Sequence, residues 1–332
     1  MQAVLDYTEQ ALQAETHIGP YRLVKYLQQG GMASVYLGYH LDRRAYVAIK
    51  VVDGYTADMT MLRRENEIMQ ALQHEHIVPC LDAGHDGRYY YLVMPYLQGG
   101  TLKDMLNESL LTLEEACVVL EQLTRALAYV HALGLLHRDI KPTNILFDRD
   151  YHLYLTDFGI ASWLGEQPVH NGHVMGTPHY MAPELFDGYV DERSEVYSVG
   201  ILLYQLLTGS LPFDGPSVWK ICLHHLETQP LAPSLLNPSL PRSVERVILG
   251  ALEKDPRRRY QTVEDLLRAF HKAIEAPPFF EHISSRWQAT CQKLRGCLSL
   301  ETPDWQPVDA LATPTPMMGP HSKYIFLPHS YV

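Results

Sequence analysis

Cysteine is scarce in this sequence and shows no pairing pattern: Cys80, Cys117, Cys222, Cys291 and Cys297 are five in number and form no C-x-x-C pair. That argues against a disulfide framework and for a reduced, cytoplasmic protein. Long apolar runs are also missing. No stretch approaches the ~18 consecutive apolar residues that a membrane-spanning helix needs, so no transmembrane segment is expected. The first twenty residues carry Asp6, Glu9 and Glu15 in place of a basic region followed by an apolar one, and no secretory signal is expected either. Positive charge is in deficit, with 27 Lys and Arg against 38 Asp and Glu and a net charge of −11. A nucleic-acid binder needs a basic face to neutralise phosphates, and docking on anionic membranes needs the same sign. Both are disfavoured. No internal repeat is visible.

What the chain does have is enough apolar material for two lobes with real cores: 332 residues, 46% hydrophobic and 20% charged. From Tyr21 to about Tyr96 it reads as strands with one helix. Val35-Tyr36-Leu37, Tyr46 to Ile49 and Tyr89 to Met94 are strand-like, and Met61 to Leu72 carries Leu62, Ile68, Met69 and Leu72 at helical spacing. After Gln98-Gly99-Gly100 the pattern changes to long helices. Thr112-Leu113-Glu114-Glu115 reads as a capping box, and Leu120, Leu123, Leu127 and Val130 follow on one face until Gly134. Val196 to Leu207 is apolar almost all round, as a buried central helix would be, and stops at Thr208-Gly209. A last helix opens at Thr262, with Asp265 three residues on. It runs to about Glu275, before Pro277-Pro278 marks a boundary. The remainder is Pro-rich and weakly patterned, with a short helix expected near Ile283 to Leu294.

Two short segments carry the chemistry. His137-Arg138-Asp139-Ile140-Lys141-Pro142-Thr143-Asn144 is followed, thirteen residues after Asn144, by Asp157-Phe158-Gly159. Phosphoryl transfer asks for magnesium bridging phosphate oxygens, an acceptor for a hydroxyl proton and cations for developing charge. Asp157 and Asn144 supply the carboxylate and amide oxygens that magnesium prefers. Asp139 is then left for the hydroxyl, and Lys141 for the moving phosphate.

In these segments the chain resembles the eukaryotic-type (Hanks-type) serine/threonine protein kinases, in particular their bacterial branch, over about Tyr21 to Glu275. The resemblance implies an α+β, two-lobed protein kinase fold. A small antiparallel β-sheet lobe with one main helix would span 21–96, and a larger, mainly helical lobe 97–275. An N-terminal extension (1–20) and a C-terminal appendage (276–332), expected to be partly disordered, would flank them. The resemblance also implies transfer of the γ-phosphoryl group of Mg-ATP (Mn²⁺ being the other candidate metal) to Ser/Thr hydroxyls of protein substrates, with autophosphorylation. Homodimerisation through the back of the small lobe would accompany it. On this reading Asp139 is the catalytic base, Lys141 contacts the transferring phosphate, and Asn144 and Asp157 hold the metal. Val47-Ala48-Ile49-Lys50 matches the strand that bears the phosphate-binding lysine, Lys50, whose expected ion-pair partner is Glu65. The nucleotide would lie among Leu27, Gly30, Gly31, Val35, Ala48, Met94, Pro95, Leu97 and Leu146. Glu184 of the Gly176-Thr177-Pro178 to Pro183-Glu184 substrate-docking segment would pair with Arg259. Lys141, two residues after Asp139, is the mark of Ser/Thr specificity.

Three positions depart from the family pattern. The glycine-rich loop reads Gln28-Gln29-Gly30-Gly31-Met32-Ala33 and keeps only its middle glycine, which leads us to expect weakened ATP binding. Glu195 stands where the family has an aspartate that accepts catalytic-loop N–H groups, and slack in that loop is expected. Between Gly159 and Gly176 the only hydroxyl is Ser162, so activation is expected not to need phosphorylation there. These departures feed the alternative, a pseudokinase acting as a nucleotide-binding or scaffold module. Several residues carry plainer expectations: His137 as a core residue, Cys80 as a buried packing thiol, and His170 and His173 as loop histidines rather than metal ligands.

Overall fold

In a computed structural model, the alternation of side chains along the first strands decides what the small lobe buries and what it shows to the cleft. Strands β1 (His17–Ile18), β2 (Tyr21–Gln29), β3 (Ser34–His40), β4 (Ala45–Asp53), β5 (Asp82–Asp86) and β6 (Tyr89–Pro95) form one antiparallel sheet in the order β1-β2-β3-β4-β6-β5. Because successive residues point to opposite faces, Val47, Ile49 and Val51 of β4 enter one cluster with Ile18, Tyr21, Leu23, Tyr36 and Val93. Ala48, Lys50 and Val52 face the other way, into the cleft, and on β6 Leu92 and Met94 join them. The register sets Val35 against Lys50 and Lys50 against Leu92. A slip of one residue would turn Lys50 out of the cleft.

The structure describes residues 16–29, 33–55, 59–163, 169–170, 173–174 and 176–274. Most of the expected N-terminal extension, Gly30 and Gly31, and the C-terminal appendage with its expected short helix lie outside the described residues.

Helix α1 (Met59–Ala71) is the helix expected within the sheet lobe, beginning two residues earlier than its apolar spacing suggested. Beyond the hinge, α2 (Leu102–Glu108) and α3 (Leu113–Ala132) begin the helical lobe. The capping box is present at α3: the Glu115 N–H donates to Thr112 Oγ1 (3.2 Å) and the Thr112 N–H to Glu115 Oε2 (2.7 Å). Gly99 holds its place by size, since a Cβ there would sit 2.2 Å from the Asp148 carbonyl oxygen. Short strands β7 (Leu135–Leu136), β8 (Ile145–Phe147), β9 (Leu153–Leu155) and β10 (Ser162–Trp163) carry the loops below the cleft, with β8 pairing β9 and β7 pairing β10. His170 and His173, expected in a loop, are backbone register partners in the antiparallel pair β11 (Val169–His170) and β12 (His173–Val174).

The remaining helices are α4 (Glu192–Thr208), α5 (Val218–Glu227), α6 (Pro233–Leu236), α7 (Arg242–Ala251) and α8 (Val263–Ile274). Helix α4 is the buried pillar that its composition predicted, opening on the Asp191 cap and ending at Gly209 with φ +75°. Burying each of its large aliphatic side chains is worth about 1.5–3 kcal/mol. Arg259, almost wholly buried, binds Glu184 through two parallel bonds of 2.7 Å and also donates to the carbonyls of Glu253, Arg193 and Lys254. Ser194 of α4 donates to the same Glu184 (2.7 Å). This ties the segment that carries Glu184 to the lobe's core.

Removing one partner from so buried a pair strands the other. Arg259→Met should therefore cost about 3–5 kcal/mol and lower the unfolding midpoint on the order of 10 °C, measured by calorimetry. A change below ~1 kcal/mol would show that the pair is dispensable.

Candidate active site

Between the lobes lies a cavity of about 880 Å³. Leu27, Val35, Ala48, Met94, Pro95, Leu97 and Leu146 line its apolar part, and Lys50, Glu65, Asp139, Lys141, Asn144 and Asp157 its polar part. Every expected cleft residue within the described part of the chain is there. Met69, one of the helically spaced apolar residues of α1, is almost fully buried and also borders the cavity. Gln28, where the resemblance implies glycine, pairs with Val35 just after a register irregularity in β2, and its backbone lies outside the left-handed region that would require glycine.

The charged groups reach one another from four elements. Lys50 Nζ on β4 lies 2.5 Å from Glu65 Oε1 on α1 and 2.8 Å from Asp157 Oδ1. Burial alone would lower the lysine's pKa, but the two carboxylates outweigh it and raise it above the ordinary value. Burial likewise opposes ionisation of Asp157, and Lys50 beside it holds the carboxyl below its usual range. Asp139 is engaged on both oxygens. Lys141 Nζ (2.5 Å) and Asn144 Nδ2 (3.0 Å) donate to Oδ2, and Thr177 donates to Oδ1 through its N–H (3.1 Å) and its hydroxyl (2.6 Å). Lys141 also donates to Thr177 Oγ1 (2.9 Å).

Local backbone geometry aims these groups. Arg138 (φ +69°) and Asp157 (φ +68°) both occupy the left-handed region, a cost of order 1–3 kcal/mol each for residues other than glycine. Surrounding bonds hold them there. His137, fully buried as expected, packs edge-on against Phe158, pairs through Nε2 with the Thr156 carbonyl (2.9 Å) and accepts the Asp139 N–H at Nδ1 (3.2 Å). Glu195 accepts the Arg138 N–H on Oε1 (2.7 Å) and meets His131 Nε2 with Oε2 (2.5 Å). The acceptor is kept: the extra methylene of Glu195 is spanned, and both oxygens are used. Gly176 (φ +127°) passes so near this loop that a Cβ would lie 3.2 Å from the Arg138 carbonyl oxygen.

The donor set fits a phosphate-bound divalent cation. Asn144 spends its amide nitrogen on Asp139, leaving its oxygen, and Asp157 spends one oxygen on Lys50 and keeps the other. At Gly159 a Cβ would lie 3.3 Å from Glu65 Oε2 and 3.4 Å from Asp157 Oδ1, so glycine keeps the approach open. Four lining carboxylates (Glu65, Asp104, Asp139 and Asp157) against three ammonium groups (Lys50, Lys103 and Lys141) leave the cleft one net negative charge, the sign a cation needs.

A family model described as "Protein kinase domain" matches residues 21–271, and the chain belongs to this family. Members use ATP and a divalent metal and act on protein substrates. Three curated relatives fit the same picture. The chain is 39% identical to serine/threonine-protein kinase PrkC of Bacillus subtilis (strain 168), over 78% of this chain and 41% of that protein. It is 37% identical to the probable serine/threonine-protein kinase PknB of Lactococcus lactis subsp. lactis (strain IL1403), over 74% and 41%. With serine/threonine-protein kinase PksC of Streptomyces coelicolor (strain ATCC BAA-471 / A3(2) / M145) the identity is 38%, over 78% and 50%. The chain thus spans about two fifths to one half of the length of these relatives. No helix among the described residues is long and apolar enough to cross a membrane.

Two residues of the site escaped the sequence reading. Thr177 was assigned to docking alone, though it binds both Asp139 and Lys141, and His131 gave no signal beyond its place in the last turn of α3. Cys80, expected to be buried, is only half-buried at the edge of the core and leans toward the Asp82 carbonyl. Burial still pushes its thiol up to about 11.

The His131–Glu195 pair has a direct signature. Burial by itself would lower the imidazole below its ordinary 6.5, but the hydrogen bond and charge of Glu195 raise it above that value. The stability this proton contributes is complete below pH 6.5 and is lost as pH rises through the raised value. An NMR titration of His131 should give a midpoint above 6.5, and Glu195→Gln should drop it below. A wild-type midpoint under 6.5 would contradict the pairing.

Proposed function

We propose that this chain is a serine/threonine protein kinase that transfers the γ-phosphoryl group of ATP to Ser or Thr hydroxyls of proteins, itself included, with Mg²⁺ or Mn²⁺ as its metal. The supporting observation is the meeting of Lys50, Glu65, Asp139, Lys141, Asn144 and Asp157 in one cavity with an apolar slot beside them.

Adenine enters the slot between Val35 and Ala48 on one side and Leu146 on the other, with Met94 at its inner end, a mostly apolar surface with few polar anchors. Lys50, fixed by Glu65, neutralises the α- and β-phosphates. Asn144 and Asp157 hold the metal, which when bound draws off charge from the phosphate oxygens. Asp139 accepts the proton of the incoming hydroxyl as its oxygen attacks phosphorus, and Lys141 stands 2.5 Å away to balance the charge of the moving phosphoryl group. Since Asp139 already receives four hydrogen bonds, the incoming hydroxyl displaces one of them. Thr177, on the docking segment that the acceptor peptide touches, is the partner placed to yield. The Ser/Thr preference rests on Lys141 and on the relatives' names. The lobes divide at residues 96 and 97 on this reading. Ser162 is buried in β10, which supports activity without phosphorylation of that residue.

Phosphosite mapping by mass spectrometry after incubation with Mg-ATP tests this. Wild type should carry phosphate on Ser and Thr alone. Asp139→Asn, which keeps the hydrogen-bonding shape and removes the base, should lower kcat by about 10²–10⁴-fold. No transfer by wild type onto itself or a generic basic protein would favour a nucleotide-binding scaffold without turnover, and phosphotyrosine would overturn the specificity.

A further inference from the structure

Away from the cleft, α3 and α8 bring three metal-ligating side chains of unlike chemistry to one point. Cys117 and Glu121 stand one helical turn apart on α3 and share a face, and His271 meets them from the last turn of α8. Cys117 Sγ lies 3.9 Å from Glu121 Oε1, and Glu121 Oε1 lies 2.7 Å from His271 Nε2. All three donor atoms fall within 4.8 Å of one another, and no other such trio occurs among the described residues. None of the three lines the nucleotide cavity.

A plain reading would make Glu121 and His271 a half-exposed ion pair and Cys117 a packing thiol. It accounts for each contact singly. It does not account for three unlike metal-ligating donors, from two helices, meeting at one point. We propose that Cys117, Glu121 and His271 form a Zn²⁺ site that clips the last described helix, α8, to α3.

The geometry needs little adjustment. Tetrahedral zinc with bonds of about 2.3 Å to sulfur and about 2.0–2.1 Å to nitrogen and oxygen separates S from O by roughly 3.5 Å and N from O by roughly 3.3 Å. The observed 3.9 and 2.7 Å, and an S–N separation within 4.8 Å, would reach such values by rotation of the Glu121 and His271 side chains. His271 is 37% exposed and Glu121 17%, which gives the ion a way in, while Cys117 lies beneath them. Thiolate, imidazole and carboxylate together are a zinc donor set, whereas magnesium and calcium call for oxygen alone. On binding, the Cys117 proton passes to solvent as the Zn–S bond forms, and His271 and Glu121 exchange their mutual contact for bonds to the metal. Water fills the fourth position, and no electron moves. Because α3 is a core helix, the ion would fasten α8 to the core of the helical lobe. The site stands independently of the catalytic reading.

The test uses the full chain, stripped of metal and titrated with Co²⁺ as a spectroscopic stand-in and then with Zn²⁺ against a chromophoric chelator. Wild type should take up one equivalent at this site, show the thiolate-to-cobalt charge-transfer absorption of tetrahedral coordination, and melt at a higher temperature with Zn²⁺ than without. Cys117→Ser should abolish that absorption and the thermal shift. His271→Ala, at a half-exposed position whose loss does not threaten folding, should weaken Zn²⁺ binding at least ~10-fold. A charge-transfer band that survives Cys117→Ser would put the metal on another thiol and overturn the proposal. So would a wild-type protein that takes up no Zn²⁺, or one whose bound metal is displaced by Mg²⁺ or Ca²⁺.

Discussion

The ammonium of Lys50, held between Glu65 and Asp157, is the contact on which the rest of this structure depends. It crosses from the sheet to α1 and from the small lobe to the loop beneath it, so one cation reports the arrangement of three elements. Burying charge is expensive, and a buried pair is weak evidence for stability as such. Its value here lies in what it positions. Lys50 can be shared by two carboxylates only if β4 keeps its register, α1 is rotated inward and Asp157 is aimed into the cleft.

That last condition is met by backbone strain spread over a buried polar lattice. Arg138 and Asp157 hold left-handed conformations that neither would choose alone. His137 joins the two turns through the Thr156 carbonyl and the Asp139 N–H, and Glu195 pins Arg138 from the central helix. Such strain persists where the neighbouring structure over-determines it. Glu195, one methylene longer than the aspartate that the resemblance implies there, fits this lattice. His131 takes up the second oxygen, and the loop keeps a direct bond at 2.7 Å.

How much of this could be read beforehand follows from how the chemistry is encoded. Asp139, Lys141, Asn144 and Asp157 sit in two short contiguous segments, where residue type and spacing reveal them. Lys50 and Glu65 needed the family pattern to find each other across the intervening loop. Helix α4 announced itself by being apolar on every side. The strand ends, the short hairpin at His170 and His173, and the half-exposure of Cys80 depend on how elements dock, which local pattern does not record. The contact of Thr177 with Asp139 was not legible because residue type and segment do not record the distance between them. The convergence of Cys117, Glu121 and His271 was invisible for the same reason. The i, i+4 spacing of the first two is common on any helix, and the third joins them only through the rotational phase of α8 against α3.

On the proposed function, the oxygen of Asp157 not bound to Lys50 is a metal ligand serving the nucleotide. Calorimetric titration of a non-hydrolysable ATP analogue, with and without Mg²⁺, on wild type and Asp157→Asn examines that atom. The metal should tighten binding to wild type, and that gain should vanish in the variant while metal-free binding persists through Lys50 and the apolar slot. An undiminished gain in Asp157→Asn would place the metal elsewhere and contradict the account.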